Sequence, residues 1–239
     1  CPNGCGTYNE STSTVGTTFD QLAFAATEFE FTLRHAGARA NGVYYFRFYD
    51  VVNNEIVPLA SGATYPSLVT EGAQLVFTVG GVDAETTVAG VVTDATTTPT
   101  VVDFDNLSFN LPQEVAQQIT IDTNATAGYQ IFLYTTQLMT NSYGATISPI
   151  LATNAAPASW ASTCIAPATS CIGYHTTDGT LEGGSTRFAP LDSYAALTTT
   201  PEAIMYSSVP TVDVLEVVYR MQITELQPAG DYESEIIYI

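Results

Sequence analysis

The 239 residues carry 24 acidic side chains against five arginines and no lysine, for a net charge of −19, yet only 12% of the chain is charged while 46% is hydrophobic. Such a surface repels nucleic-acid phosphates and anionic lipid headgroups, and the apolar content is too high for an acidic disordered tail. The missing lysine amine also excludes Lys-Asn isopeptide bonds, sortase-type linkage and Schiff-base chemistry within this stretch.

Four cysteines fall in two close pairs, Cys1 with Cys5 and Cys164 with Cys171. Their spacing is wider than that of CxxC zinc ligands, so disulfides are expected, and with them an oxidising compartment; the two local loops are the favoured pairing among three connectivities. No apolar run approaches the roughly 18 to 20 residues needed to span a bilayer. No basic, then apolar leader opens the chain, which reads as a mature secreted or cell-surface form.

In chain order, residues 1–26 read as an extended arm, rich in Gly, Thr and Ser and ending in Phe19 to Ala26. Phe29, Phe31 and Leu33 alternate with Glu28, Glu30 and Thr32, the period of a half-buried strand. Tyr44, Phe46 and Phe48 form a second such face, and Asn53-Asn54 offers the turn of a hairpin into Glu55 to Leu59. Leu75, Phe77 and Val79 give a further strand, ended by Gly80-Gly81. The composition then shifts to Thr, Ala, Val and Asp, and Thr96-Thr97-Thr98-Pro99 marks the expected boundary between a first domain, 27–95, and a second, 96–239.

The second domain is expected to open with a strand from Phe104 to Leu111, then run through Ile119 and Ile121, turning at Asn124 to Gly128 into Tyr129 to Tyr134 at hairpin spacing. Residues 142–201 alternate poorly and read as long loops with short strands. In Val209 to Ile223, Val212 and Val214 occupy one parity while Leu215, Val217, Tyr219, Met221 and Ile223 occupy the other, which predicts a β-bulge near Val214 and Leu215. Pro228-Ala229-Gly230 is the expected turn of a terminal hairpin. With no helical period anywhere, the fold class is all-β: two tandem Ig-like or jelly-roll-like β-sandwich domains behind an extended N-terminal arm.

The stretch Ile119-Thr120-Ile121-Asp122-Thr123-Asn124-Ala125-Thr126-Ala127-Gly128-Tyr129 resembles the strand-turn-strand opening of bacterial and archaeal surface β-sandwich domains. The ending Gln227-Pro228-Ala229-Gly230-Asp231-Tyr232-Glu233-Ser234-Glu235-Ile236-Ile237-Tyr238 is similar to their closing hairpin. Together these resemble WxL-like, spore-coat or Csu-type pilin-like domains; the Trp-x-Leu itself is missing, since Ala161 and Ser162 follow Trp160. The resemblance implies a structural subunit of the kind that builds pili and TasA-like fibres by β-strand complementation between copies. A sandwich short of one strand exposes an edge and an apolar groove, which an extended segment of the next copy fills. The first domain looks short of strands, and the candidate donor is Thr17 to Ala26, through Thr17, Phe19, Leu22, Phe24 and Ala26. The alternative is that this arm is the first strand of its own domain; Glu233 to Ile239 is a lesser candidate donor.

Other chemistry is sparse. His175 with Asp178 three residues on is the best fragment of a nucleophile-activating set, but no GxSxG, HExxH or P-loop pattern accompanies it, and the chain reads as a non-enzyme with no required cofactor. Asp103, Asp105 and Asn106 offer oxygens to a calcium ion without a full ligand loop. Asn9, Asn106 and Asn124 begin N-glycosylation triplets, which a Ser- and Thr-rich chain also produces by chance. Trp160, Tyr174 and Tyr143 lie where a sugar-stacking loop would be, which supports the alternative function: a non-polymeric adhesin or carbohydrate-binding module. Expected partners are therefore copies of itself, or glycans on host or neighbouring cells, and not nucleic acid.

Overall fold

The computed structural model describes residues 42–45, 49–50, 55–56, 67–70, 72–164, 170–179, 181 and 186–239. Within them the chain is nearly all β. It divides into two compact units, Cys1–Gly72 and Ala73–Ile239. The donor positions Thr17, Phe19, Leu22, Phe24 and Ala26, the Phe29 to Leu33 strand, Cys1, Cys5 and Asn9 lie outside the described residues.

In the first unit, β1 (Gly42–Tyr45) pairs antiparallel with β4 (Ser67–Thr70), Gly42 opposite Thr70 and Tyr45 opposite Ser67. β2 (Tyr49–Asp50) and β3 (Glu55–Ile56) form the hairpin expected around Asn53-Asn54, with Asp50 opposite Glu55.

The second unit contains β5 (Leu75–Gly81), β6 (Thr87–Val88), β7 (Val91–Val92), β8 (Gln113–Thr123), β9 (Tyr129–Thr135), β10 (Met139–Asn141) and β11 (Thr146–Pro149). A single helical turn, α1 (Trp160–Thr163), follows, then β12 (Cys171–Thr176), β13 (Ala195–Ala196), β14 (Glu202–Ser207), β15 (Thr211–Gln222), β16 (Tyr232–Glu233) and β17 (Ile236–Tyr238). The larger sheet runs β16-β10-β11-β12-β15-β8-β5 with β13 beside β12, and the smaller runs β14-β9-β17. All pairings are antiparallel except β11 with β12.

The two sheets share one core. From the larger sheet come Val115, Ile119 and Ile121 of β8, Val217, Tyr219 and Met221 of β15, and Ile172 and Tyr174 of β12; from the smaller come Tyr129, Ile131 and Leu133 of β9 with Ile204 and Met205 of β14. On each strand these mostly follow the period of two that the sequence displays. Each such side chain, fully buried, contributes about 1.5–3 kcal/mol.

β15 corrects one expectation. It pairs with β8 in unbroken register from Thr211 opposite Thr123 to Met221 opposite Gln113, so there is no bulge at Val214 and Leu215. Its apolar residues change parity because Val212 and Val214 are exposed on the outer face, whereas Leu215, Val217, Tyr219 and Met221 turn to the core. Val218 lies on the outer face, where it packs with Ala116, Val82 and Val88 beneath the β6–β7 hairpin. A register shift does occur elsewhere, between Ala203 and Met205 in the β14–β9 pairing.

The segment that reads as a linker by composition falls inside the second unit and is bound to the larger sheet. Buried Thr93 and Thr97 supply the hydrogen bonds that a regular ladder would. The Val82 N–H donates to Thr97 Oγ1 at 2.9 Å, the Thr97 N–H donates to the Val82 carbonyl at 3.0 Å, and the Thr97 hydroxyl donates to the Ala116 carbonyl. The threonines thus fasten a strap over β8, satisfying backbone groups that burial would otherwise leave unpaired.

Two local expectations change because alternation gives the buried face of a strand but not its neighbour, and a third changes because no strand forms. Asn124 to Gly128 does turn the chain, with Gly128 at φ +67°, but β8 and β9 do not pair; the turn carries the chain from one sheet to the other. After the Pro228-Ala229-Gly230 turn, β16 pairs with β10 and β17 with β9, so no terminal hairpin with β15 forms. Phe104 to Leu111 is a loop with one bridge, Phe109 to Ile223, and its Asp105 and Asn110 have positive φ.

Candidate functional site: the open edge of β5

β5 ends the larger sheet, and among the described residues no strand pairs with its far side. Which backbone groups point there follows from Gln74. Its carbonyl accepts the Asn124 N–H at 3.3 Å and the Thr123 hydroxyl at 2.8 Å, and its N–H donates to Asn124 Oδ1 at 2.6 Å. Gln74 is therefore bonded toward β8. In an antiparallel ladder alternate residues bond to alternate sides, so the N–H and C=O groups of Leu75, Phe77 and Val79 point to the open side.

The side chains of these residues share a face with Ile121 and Ile119, their partners in register. Unlike those partners they are poorly covered: Leu75 is 56% and Phe77 39% exposed, whereas Ile119 and Ile121 are fully buried. The smaller sheet approaches β5 through its strand β17. There the Phe77 and Tyr238 rings lie 6.4 Å apart at 53°. Tyr238 is held by its hydroxyl, which donates to Gln117 Oε1 at 2.9 Å and meets the Tyr219 hydroxyl. Burial pushes both phenols well above their ordinary pKa, so they remain protonated and serve as hydrogen-bonding anchors.

The open stretch has defined ends. The Gln74–Asn124 clamp bounds it at one end. At the other, the Thr97 main chain passes so close to Gly81 that a Cβ there would overlap its carbonyl. On the opposite face of the sheet Val76, 44% exposed, pairs with Asp122, which in turn pairs with Val212, 67% exposed. The segment Ala73–Gly81 contains no charged residue and no proline, so the usual devices that block edge-to-edge pairing are missing from it. The sequence offers a sign of this: Leu75, Val76 and Phe77 are apolar on both parities.

The other sequence candidates have structural occupations. Trp160 and Tyr174 are 5% and 1% exposed, which removes them as sugar platforms. Trp160 packs edge-on against Tyr194 with centroids 5.4 Å apart, and its Nε1–H donates to Gln222 Oε1 at 3.1 Å. The Tyr174 hydroxyl accepts from Asn154 Nδ2 at 2.6 Å. Tyr143 alone of the three is open, 87% exposed in the β10–β11 turn.

His175 is buried, and its Nδ1–H donates to the Ser193 carbonyl at 2.8 Å; burial lowers its pKa, keeping the ring neutral. The Asp178 carboxylate accepts the Tyr206 N–H at 2.7 Å. Asp103 and Asp105 are exposed, and Asp103 Oδ1 accepts the Asp105 N–H at 2.9 Å, forming a local turn. Cys164 and Cys171 form a disulfide, as the local pairing predicts. Asn106 is exposed and Asn124 half-buried.

Comparison with protein-family models, with curated proteins and with solved structures returns no match.

Proposed function

We propose that the chain is a structural subunit of an extracellular filament in which neighbouring copies are joined by β-strand complementation at the open edge of β5. The observation that carries the reading is the conjunction at Leu75, Phe77 and Val79: backbone groups directed away from β8, and apolar side chains at Leu75 and Phe77 that the smaller sheet leaves partly uncovered. An added strand answers both needs at once, supplying hydrogen bonds worth about 0.5–1.5 kcal/mol each and covering the apolar groups.

The Thr17 to Ala26 segment of a second copy is the donor. Its Leu22, Phe24 and Ala26 alternate with the same period as Leu75, Phe77 and Val79, and Asp20 is its single charge, so it adds little repulsion beside Asp122. Because the donated segment and the receiving edge are different surfaces, the contact is head-to-tail and propagates into a fibre. The Cys164–Cys171 disulfide supports an oxidising compartment, and among the described residues no helix is long and apolar enough to cross a membrane.

Negative-stain electron microscopy of the purified chain tests this. Filaments are expected from the wild type and not from Phe77→Asp, which places a charge in the receiving edge while leaving the core strands intact by circular dichroism. Dispersed wild-type particles at all ionic strengths, or filaments undiminished in Phe77→Asp, would overturn the reading. Removing residues 1–26 is expected to abolish assembly, and a peptide of residues 17–26 to bind the shortened chain.

A further inference from the structure

The N-glycosylation triplets at Asn106 and Asn124 are described, and the structure separates them. Asn106-Leu107-Ser108 lies in the loop before β8, with Asn106 and Ser108 both exposed. The loop is held outward by its own backbone. Asp105 and Asn110, on either side of the triplet, have φ of 51° and 61°; the Asn106 carbonyl accepts from Gln113 Nε2 at 3.3 Å, and the Asn110 N–H donates to the Ile223 carbonyl at 2.7 Å. These bonds use main-chain atoms of the triplet and its flank and leave the Asn106 amide and Ser108 hydroxyl facing solvent.

Asn124 is placed otherwise. It is half-buried, and its side-chain oxygen takes the Gln74 N–H at 2.6 Å in the clamp that ties β5 to β8. A transferase must reach the asparagine amide and the hydroxyl two residues on together, which requires a surface loop; only the first triplet offers that without disturbing a clamp.

A second observation points to the same loop. Phe109 and Leu111 are 56% and 60% exposed, apolar groups left uncovered directly beside Ser108. The C–H face of a sugar ring covers an aromatic side chain favourably, and a bound glycan shields such groups from association.

We infer that Asn106 is an N-glycan attachment site whose first sugars lie over Phe109 and Leu111. In the reaction Nδ2 of Asn106 attacks the anomeric carbon of a lipid-linked oligosaccharide. The bond from that carbon to the lipid phosphate oxygen breaks, the N–C bond forms, the lipid phosphate departs with the electron pair, and the amide proton passes to a base of the transferase. The site lies outside the β5 edge and stands whether or not the filament reading holds.

The test is glycopeptide mass spectrometry on the protein purified from its native host. The digestion uses an acidic-residue-directed protease, because five arginines and no lysine give trypsin few sites. The peptide containing Asn106 is expected to carry sugar and that containing Asn124 none. Ser108→Ala is expected to abolish the modification and Ser108→Thr to keep it; Asn106→Gln is expected to raise binding of a hydrophobic dye with no change in melting temperature. An unmodified Asn106 in host-derived protein, or sugar that survives Ser108→Ala, would overturn the inference.

Discussion

Substituting Glu114 by Gln is expected to change how the stability of this protein depends on pH. Glu114 sits on the outer face of β8, 8% exposed, beneath the strap that follows β7. Its N–H donates to Asp94 Oδ2 at 2.7 Å, and the Asp94 N–H donates to the Glu114 carbonyl at 2.7 Å. Across the ladder Arg220 Nε lies 2.9 Å from Glu114 Oε1; that guanidinium lies over both the Trp160 and Tyr194 rings, 5.2 and 5.3 Å from their centroids, with Asp192 at 3.7 Å. Burial raises the Glu114 pKa from 4.5 to about 7; Arg220 opposes the rise, and the neighbouring Asp94 carboxylate adds to it.

An acid whose folded pKa is raised favours the fold in its protonated form. Its contribution is complete below pH 4.5 and is lost as pH climbs to about 7. At ~1.4 kcal/mol per pH unit over that interval, the loss is about 2 to 3 kcal/mol once contact with water at the rim is discounted. Urea unfolding at intervals from pH 4.5 to 8.5 should show this decline in the wild type and a flattened profile in Glu114→Gln. His175 acts in the opposite sense: its depressed pKa gives stability that is present above its unfolded value near 6.5 and lost on acidification through its lower folded value. Measuring both variants on a His175→Gln background isolates the carboxyl contribution. A Glu114→Gln protein that retains the wild-type slope would refute the reasoning.

Trp160→Ala should cost about 3–5 kcal/mol, read as a lower urea midpoint, since the indole is 5% exposed and holds both Tyr194 and Arg220; glycan-array binding should be the same before and after. Gly128→Ala should cost at least ~1 kcal/mol in the same assay, because Gly128 has φ +67° and a Cβ would strike the Ser207 carbonyl. Replacing Cys164 and Cys171 together by Ser opens a loop of sequence separation 7 and should lower stability by about 2–3 kcal/mol. Reductant should then shift the wild-type melting temperature further than that of the variant.

Much of the local structure was legible in the residues because a half-buried strand writes its inner face at every second position. Ile119 and Ile121 of β8, Ile131 and Leu133 of β9, Val217 to Met221 of β15 and the β2–β3 hairpin all follow from that pattern, and the Cys164–Cys171 bridge from proximity in the chain. β12 escaped it: Cys171 to Thr176 is buried throughout, with Gly173, His175 and Thr176 among its residues, so it carries no alternation and looks like polar loop. The strap at Thr93 and Thr97 was hidden for the converse reason. Its composition is that of a linker, and its order comes from hydroxyls that find backbone partners only after β8 is in place.

What the chain determined by itself, for the strands that alternate, was the class of element and which side chains turn inward, since both depend on neighbours one or two residues away. Tertiary structure alone decided which strands lie side by side, that β8 and β9 belong to different sheets, and that β5 is the edge of its sheet among the described residues. Strand pairing joins residues far apart in sequence, here Leu75 with Thr123 and Thr123 with Thr211. A period of two is satisfied by any partner that covers the same face, so only the assembled sheets could reveal that, among the described residues, no strand pairs with the far side of the strand bearing Leu75 and Phe77.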